Sequence, residues 1–549
     1  MHYINAMGVP SLFRTLVNKH PNICKQPSGV EPPDQLLFDF NCLVHHCANA
    51  VKLTDSMTLR DIEEEVIAEV IKYTGHIITS VVKPKSLVFI ALDGPVPMGK
   101  VVRQRARRYK KIQDDRYKRK LREKYNIPAT RYFDSNKITP GTPFMSKLCN
   151  RLRNMIKLGA FGNNKVILSD ANAPGEGEHK IMNFLKNGKA KTATIYGLDA
   201  DLIILSMNLP INVVLLREDL EWGGEFLFLD VRMVTDALIK EYKLEFIDRA
   251  SFIRDYTFIT CFGGNDFVDP FVHTKIRDQG VDKLMNAYRI AMCHTNSTCM
   301  IDESLEVDRN TFIVFLEELC KTEDVSMKKI NNRLQTCKFE TKGEKSEYDR
   351  EYELYEHSYY TDTKNPFHSH HKRSMQTIQY NKDHTVWSKQ YNDTYFDAEM
   401  STVCSDYMKV ILWTMKYYMD NSPISWLWYY PHRNAPLVSE LRSHIENNPK
   451  FWDHTFEEDE CLTPFEQLLI VLPHQNAGLL PFSLQWVVKE LADTSLYPTK
   501  FLLDSTKGLK NIYSEPLLPP VDLDSVRYLL HNVPYSEPEI ARNVLKTKK

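Results

Sequence analysis

The stretch ILSDANAPGEGEHKIMNFLK, residues 167–186, decides the fold class of this chain. The apolar run 165–168 predicts a strand, residues 169–175 a loop, and the amphipathic remainder a helix that opens near Glu176. Negative charge is favoured in the first turn of a helix, so Glu176 or Glu178 taken singly is an ordinary turn residue. Further acids at equivalent places along the chain would require another explanation.

Similar apolar runs recur with helical patterns between them. They predict strands at residues 35–38, 86–92, 165–168, 192–196 and 212–216. Strands that alternate with helices predict an α/β fold with a mostly parallel central sheet, flanked by helices on both faces.

The length of 549 residues exceeds what one hydrophobic core usually serves, so we expect two or more domains. Residues 338–395 are rich in Lys, Glu, Tyr, Asn and His, which is typical of a connector or insertion. Aromatic and aliphatic residues return after this segment. We predict an N-terminal domain at 1–300, a helical, polar connector or insertion at 301–395, and a helix-rich region at 396–549 that packs on the first domain.

The composition, 43% hydrophobic and 26% charged residues, is that of a globular protein. The chain has no run of 18 apolar residues, and MHYINAMGVPSLFRTL lacks the apolar core of a signal peptide. We therefore expect an intracellular protein without a membrane segment. The eleven cysteines form no CxxC pair, which favours reduced thiols over disulfides.

Two short stretches carry residue types that can bind metals. In CLVHHC, these residues are Cys42, His45, His46 and Cys47. Zinc requires four convergent ligands, and these four are close neighbours on one element, so structural zinc is the weaker interpretation. The stretch HSHHKR, residues 368–373, lies in a polar segment and is expected to be a solvated loop.

Seven acids follow the apolar runs or open the next helix. They are Asp39, Asp93, Glu176, Glu178, Asp199, Asp201 and Asp266, the last of them after FITCFGG. One Asp after a strand is more often a turn or cap residue. Seven acids at equivalent positions along the chain predict a shared crevice beyond the carboxyl ends of the strands. Such a cluster stays ionised only with cations, and Mg²⁺ or Mn²⁺ prefer carboxylate ligands.

A basic segment follows Asp93 directly. Between Lys100 and Lys124 the chain has thirteen Lys or Arg residues against three acids. Four polar residues fall on one helical face, at Lys100, Gln104, Arg107 and Arg108. Their convergence beside the acids predicts a phosphate pocket, although a solvated basic helix is the usual alternative. Residues 110–124 have no such phasing, and either solvation or contact with a nucleic-acid backbone would explain them.

Together these motifs resemble the Xrn-type 5′→3′ exoribonuclease family. The matching text includes MGVPSLFRTL, LLFDFNCLVHHC, IALDGPVPMGKVVRQRARRYKK, FDSNKITPGTPFM, APGEGEHKIM, YGLDADLIILS, FITCFGGNDF, SWLWYYPHRNAP and TPFEQLLIVLP. The resemblance covers residues 7–270 and 387–522 and implies a PIN/FEN-like nuclease core. Six residues, MHYINA, precede the usual MGVP start. We expect a minimal catalytic core without the long C-terminal modules of the large members.

The resemblance also implies residue roles. One divalent ion would be held by Asp39, Asp93, Glu176 and Glu178, and a second by Asp199, Asp201 and Asp266. The pocket for a 5′-monophosphate would consist of Lys100, Gln104, Arg107 and Arg108. His45 would stack on the terminal base, opposite Trp426 or Trp428. Taken without the resemblance, this histidine and these tryptophans could equally be core residues.

The function implied is processive 5′→3′ hydrolysis of single-stranded, 5′-monophosphorylated RNA to nucleoside 5′-monophosphates. Two Mg²⁺ ions, for which Mn²⁺ substitutes, would serve the reaction. We expect a monomer that acts in mRNA or other RNA decay, in the cytoplasm rather than the nucleus. The alternatives are a structure-specific flap endonuclease and a catalytically silent RNA-binding scaffold. A scaffold would gain nothing from the mutual repulsion of seven acids.

Overall fold

A computed structural model describes residues 12–26, 29–54, 56–128, 132–218, 226–336, 345–357, 371–372, 378–504, 511–531 and 533–546. The central sheet is formed by β1 (Cys24–Lys25), β2 (Gln35–Asp39), β3 (Leu87–Ala91), β4 (Lys165–Ser169), β5 (Thr192–Tyr196), β6 (Asn212–Glu218) and β7 (Phe226–Asp230). The strands lie in the order β1-β7-β6-β5-β2-β3-β4. Strands β2 to β6 pair in parallel, whereas β7 pairs antiparallel with both β6 and β1. The α/β prediction and the five predicted strands are confirmed.

Helices cover both faces of this sheet. The first ten are α1 (Leu12–Lys19), α2 (Phe40–Ala50), α3 (Leu59–His76), α4 (Met98–Lys124), α5 (Pro143–Lys157), α6 (Gly177–Lys186), α7 (Asp201–Met207), α8 (Val231–Glu241), α9 (Arg249–Cys261) and α10 (Gly280–Thr295). Along β2, Leu36 and Phe38 pack on the side of α2, α3 and α5, while Leu37 packs on the side of α6 to α10. Because both faces are buried, the strands are continuous apolar runs rather than alternating ones.

The remaining elements are mainly helical. They are α11 (Arg309–Thr336), α12 (Glu347–His357), β8 (His371–Lys372), α13 (His384–Tyr395), α14 (Met400–Asp420), α15 (Val438–Asn447), α16 (Pro464–Val471), α17 (Gln485–Glu490), β9 (Leu502–Asp504), β10 (Glu515–Leu517), α18 (Leu523–Leu530) and α19 (Glu537–Asn543). Strands β8 to β10 form a small second sheet.

The second region packs closely on the first, as predicted. Buried side chains of α14 and α15 share one hydrophobic core with α7, α9 and α10. A separate core joins α16, α17 and α18 to Val96, Met98 and Val101 at the start of α4. The second region therefore reaches the segment that follows Asp93. The predicted domain boundaries near residues 300 and 395 remain predictions.

Three segments singled out in the sequence lie partly or wholly outside the described residues. MHYINA lies outside the described residues, and of HSHHKR only His371 and Lys372 lie inside, in β8. Within the predicted connector, the described parts contain α11, α12 and α13. No helix among the described residues combines the length and apolar character that a membrane crossing requires.

Candidate active site

Six of the seven predicted acids lie at the carboxyl edge of the parallel strands. Asp39 ends β2, Asp93 follows β3, and Glu176 and Glu178 open α6 after β4. Asp199 and Asp201 lie between β5 and the first turn of α7. Because β4, β3, β2 and β5 are neighbours in the sheet, these carboxylates meet in one crevice.

The seventh acid, Asp266, reaches the crevice by a different route. The run FITC before it belongs to helix α9, not to a strand, so the prediction of a strand end is wrong here. Helix α9 is buried on nearly all sides, and an apolar run that is buried all round has no distinguishing period. Asp266 nevertheless lies in the cluster. Burial raises the pKa of Asp199, and the charge of Asp266 raises it further.

Gly177 allows the start of α6 to approach the aspartates closely. Its backbone N–H donates to Asp93 Oδ1 at 2.7 Å. A Cβ atom at this position would lie 2.8 Å from Asp39 Oδ1 and 3.0 Å from the carbonyl oxygen of Ala91. A side chain here would therefore separate Glu176 and Glu178 from the acids on β2 and β3.

The cluster holds more negative charge than its surroundings neutralise. Burial, reinforced by the charge of Asp93, raises the pKa of Asp39 to about 8. Burial and the charge of Asp199 raise the pKa of both Glu178 and Asp201 well above the ordinary range. Glu178 Oε2 and Asp201 Oδ1 are buried and have no hydrogen-bond partner among the described residues. Two unpartnered carboxylate oxygens fit a site that binds cations.

Lys100 supplies a positive charge inside this cluster. Its Nζ lies 2.6 Å from Glu176 Oε2 and also contacts Asp266 Oδ2. Burial alone would raise the pKa of Asp266, but the charges of Lys100 and Arg107 outweigh it and hold the value at about 2. The sequence placed Lys100 in the phosphate pocket, whereas the structure places its ammonium group among the acids.

Arg107 and Arg108 form the basic pocket next to the acids. Arg108 Nη2 donates to Thr139 Oγ1 at 2.7 Å, while its Nη1 is buried and unpartnered among the described residues. Burial and the charge of Arg107 lower the pKa of Arg108 to about 9. Arg107 itself makes no hydrogen bond or ion pair within the described part of the chain. Guanidinium donors without a partner are able to bind an anion through charge-assisted hydrogen bonds.

His45 lines the same pocket. Burial and the charges of Lys111, Arg108 and Arg107 lower the pKa of His45 to about 4, so its imidazole is neutral at physiological pH. Gln104 lies one turn after Lys100, and its Oε1 accepts a hydrogen bond from Gln467 Nε2 at 3.4 Å. The structure thus brings His45 close to Arg107 and Arg108, while Gln104 contacts the second region.

The four residues of CLVHHC have four different surroundings. Cys42 Sγ donates to Asp39 Oδ2 at 2.9 Å, and Cys47 is buried in the core between α2 and α3. The ring of His46 stacks on Tyr73 with centroids 4.9 Å apart, whereas His45 faces the arginines. Since these side chains do not converge, the zinc interpretation has no support.

The distal half of α4 is covered by α12. The rings of Tyr117 and Tyr355 stack with centroids 3.8 Å apart, and Tyr355 Oη donates to Asp114 at 2.6 Å. Lys124 pairs with Glu351 at 2.6 Å. These contacts pair basic residues of 110–124 with α12, which favours a structural role over a nucleic-acid track.

The structure distinguishes the two candidate tryptophans. Trp428 packs edge-on against Phe456 at 5.6 Å, and Lys409 Nζ lies 4.9 Å from its ring centre. Trp426 has no ring or cation partner among the described residues, and its carbonyl oxygen accepts a hydrogen bond from Met98 N at 2.7 Å. The backbone of Trp426 therefore contacts the start of α4.

Three residues near the acids were missed by sequence reasoning. Tyr417 Oη donates to Glu176 Oε1 at 3.0 Å, and Tyr418 Oη donates to Asp201 Oδ2 at 3.3 Å. His179 stacks on Tyr417 at 3.7 Å. It offers a ligand atom within 4.8 Å of those of Glu176 and Glu178. The sequence GEGEH contained a signal for His179, since the histidine directly follows Glu178. It contained none for the tyrosines, because tyrosines on a buried helix have the same sequence pattern as core residues.

The donor set of this crevice suits a divalent cation. Carboxylate oxygens predominate, two of them lack a partner, and a neutral imidazole lies beside Glu176 and Glu178. Burial lowers the pKa of His179 well below its ordinary value, so its imidazole is neutral and one ring nitrogen is available as an acceptor. Carboxylate oxygens are the ligands that hard divalent cations prefer.

Two family models match this chain. The one described as "XRN 5'-3' exonuclease N-terminus" matches residues 7–219, and the one described as "Xrn1 helical domain" matches residues 246–399 and 380–524. The first match contains the basic pocket and six of the seven acids, and the second match contains Asp266 and the α14 tyrosines.

Curated relatives are similar over most of this chain. It is 25% identical to 5'-3' exoribonuclease 1 of Saccharomyces cerevisiae, over 86% of this chain and 40% of that protein. It is 26% identical to 5'-3' exoribonuclease 1 of Homo sapiens, over 94% of this chain and 33% of that protein. The match to 5'-3' exoribonuclease 2 of Candida albicans is 26% identical, over 95% of this chain and 72% of that protein.

The chain thus spans less than half the length of the first two relatives. The family models nevertheless cover most of its residues, from 7 to 219 and from 246 to 524. On this basis the chain belongs to the Xrn-type 5′→3′ exoribonuclease family.

Proposed function

We propose that this chain hydrolyses single-stranded RNA from a 5′-monophosphate end and releases nucleoside 5′-monophosphates. The observation that carries the proposal is the spacing along one face of α4. Lys100 reaches the acids, while Arg107 and Arg108 stand two helical turns, about 10 Å, farther along. A strand whose terminal phosphate binds at the arginines therefore has a phosphodiester near its 5′ end at the carboxylates.

The acids are proposed to hold two Mg²⁺ ions, for which Mn²⁺ substitutes. One group comprises Asp39, Asp93, Glu176 and Glu178, and the other comprises Asp199, Asp201 and Asp266. When bound, such ions activate a water molecule and neutralise the charge that develops on the leaving oxygen. The unpartnered oxygens of Glu178 and Asp201 support this assignment.

The pocket residues are proposed to select and position the RNA end. Arg107 and the unpartnered Nη1 of Arg108 bind the terminal phosphate through charge-assisted hydrogen bonds. Neutral His45 stacks on the first base, and Trp426 bounds the stacked nucleotides from the other side. Because stacking tolerates any base, the strand advances after each cleavage irrespective of sequence, which makes hydrolysis processive.

Exclusion of bulky 5′ groups such as a cap is part of this proposal. The hydrogen bond from Arg108 Nη2 to Thr139 and the burial of its Nη1 are consistent with a site for a small anion. We further propose that the protein acts as a monomer in cytoplasmic RNA decay.

A series of RNAs with one sequence and a 3′ label tests this function. The 5′ end is a monophosphate, a hydroxyl, a triphosphate or a cap, and each RNA is incubated with Mg²⁺ or with EDTA. The expected result is release of mononucleotides from the monophosphate RNA, with Mg²⁺ only. Cleavage of a flap substrate at its junction would instead identify an endonuclease, and binding without hydrolysis would identify a scaffold.

A further inference from the structure

Two adjacent tyrosines of α14 connect the second region to the acidic crevice. Tyr417 Oη donates to Glu176 Oε1 at 3.0 Å, and Tyr418 Oη donates to Asp201 Oδ2 at 3.3 Å. Consecutive residues of a helix point about 100° apart, so neighbouring hydroxyl groups reach different carboxylates. Each tyrosine therefore contacts one of the two groups of acids proposed above.

The ring of Tyr417 is fixed by close packing. It stacks on His179 at 3.7 Å and meets Trp413 at 5.0 Å and Phe267 at 5.4 Å. Both tyrosines are buried, with 1% and 3% of their surfaces exposed. Side chains held this firmly present their hydroxyl groups in one direction.

Each hydroxyl group occupies one oxygen of its carboxylate and leaves the other one facing the crevice. Glu176 Oε2 is the atom that contacts Lys100, and Asp201 Oδ1 is buried without a partner among the described residues. In both contacts the tyrosine hydroxyl is the donor, because an ionised carboxylate only accepts hydrogen bonds.

We infer that Tyr417 and Tyr418 are positioning residues, which orient Glu176 and Asp201 so that each group of acids binds its own cation. The inference rests on the proposed two-ion site and assigns the second region a part in building it. Partners of metal ligands typically change metal affinity ten- to hundredfold when they are removed. Because the two tyrosines contact different groups, their losses should weaken different ions.

The test is a titration of the full, RNA-free chain with Mn²⁺. Binding is measured by calorimetry and by the electron paramagnetic resonance signal of free Mn²⁺. The variants are Tyr417→Phe and Tyr418→Phe, which remove only a hydroxyl group. Tyr391→Phe is the matched control, because this buried tyrosine of α13 donates to the carbonyl oxygen of Ala435, away from the acids. We expect each test variant to weaken one of two Mn²⁺ sites about tenfold or more, and the control to weaken neither.

Hydrolysis provides a second measurement. Raising the Mn²⁺ concentration should restore the rate of both test variants, since the ligands themselves remain. In a Glu176→Gln background, Tyr417→Phe should cause little further loss of affinity, because the contact is already altered.

Several outcomes would overturn the inference. If Tyr417→Phe and Tyr418→Phe bind Mn²⁺ as tightly as the wild type, or if Tyr391→Phe weakens binding equally, the tyrosines are core residues only. Glu178→Gln separates this result from failure of the proposed function. If wild type binds Mn²⁺ and Glu178→Gln weakens it while the tyrosine variants do not, only the positioning role is wrong. If wild type binds none, both proposals fail.

Discussion

Lys100 Nζ lies 2.6 Å from Glu176 Oε2, so an ammonium group from the basic helix stands within the acidic crevice. Both partners are largely buried, with 13% and 6% of their side chains exposed. Among the carboxylates of the crevice, the Lys100 ammonium group is the positive charge nearest to Glu176. We expect a divalent cation in the crevice to compete with Lys100 for Glu176, which would leave the ammonium group available to an RNA phosphate.

The first prediction concerns removal of that ammonium. Lys100→Met should lower the free energy of unfolding of the metal-free protein by about 3 kcal/mol, because buried carboxylates lose their counter-charge. The same variant should gain more stability from Mg²⁺ than the wild type, since no ammonium competes for Glu176. Thermal unfolding with EDTA and with increasing Mg²⁺ measures both effects.

Lys124→Met is the control for Lys100→Met. Lys124 pairs with Glu351 on the surface, where 58% of its side chain is exposed, so its loss should have little effect on the free energy of unfolding. Equal Mg²⁺ responses in wild type and Lys100→Met would show that the ammonium does not compete with the cation.

A second prediction concerns the acid with an unpartnered oxygen. Glu178→Gln should nearly abolish hydrolysis and leave RNA binding measurable, because it removes a ligand and spares the basic pocket. Asp199→Asn should behave in the same way. Both variants should keep or raise the stability of the metal-free protein, since one of several repelling charges is lost. Rates under single-turnover conditions, with binding measured separately, give the comparison; substantial residual hydrolysis would contradict the metal assignment.

The sequence predicted the parts of this site that depend on local pattern. An acid at or directly after the end of a buried parallel strand lies at the carboxyl edge of the sheet, which is why the sequence predicts the positions of Asp39 and Asp93. Glu176 follows from the loop after β4 and the predicted start of α6. The role of Gly177 depends on the fold, since a Cβ atom at this position would lie 2.8 Å from Asp39 Oδ1.

Long-range packing determined what the sequence could not show. The helical period predicts that Lys100 lies on the same face as Arg107. The Lys100 side chain instead contacts the nearest carboxylates, and only the folded structure shows where these lie. The choice between Trp426 and Trp428 depends on Phe456 and Lys409, which lie elsewhere in the chain. Tyr417 contacts Glu176 across 241 positions of sequence, a distance at which no local pattern operates.

Base stacking gives a third prediction. His45→Ala and Trp426→Ala should slow successive cleavage more than the first binding event, because each new terminal base must be repositioned. A base–aromatic contact contributes about 1 to 3 kcal/mol. Chasing a reaction with competitor RNA should therefore reveal partly degraded products with these variants. Trp428→Ala is the comparison, since its ring packs on Phe456; if it alone produces intermediates, the assignment of Trp426 is wrong.

The lowered pKa of His45 gives a fourth prediction. The value is about 4 in the folded chain, below the 6.5 of an ordinary histidine, so only the unfolded chain gains this proton between those values. The stability that neutral His45 contributes is therefore lost as the pH falls through that window. Between pH 7 and pH 5 wild type should lose up to about 2 kcal/mol more than His45→Phe. Urea unfolding at the two pH values measures the difference, and parallel losses would show that His45 titrates normally.

The last prediction concerns selection of the RNA end by the basic pocket. Arg107 has no ion pair within the described chain, and a terminal monophosphate carries charge and free oxygens that an internal phosphodiester lacks. Charge-assisted hydrogen bonds contribute roughly 1.5 to 3 kcal/mol, so Arg107→Ala should reduce the preference for monophosphate over hydroxyl ends about ten- to a hundredfold. Arg116→Ala, at an exposed position of the same helix, should leave this preference unchanged. The measurement is the ratio of initial rates on the two RNAs at one salt concentration, because general phosphate contacts depend strongly on salt. If Arg107→Ala lowers both rates in proportion, the pocket binds the RNA backbone and does not select the 5′ end.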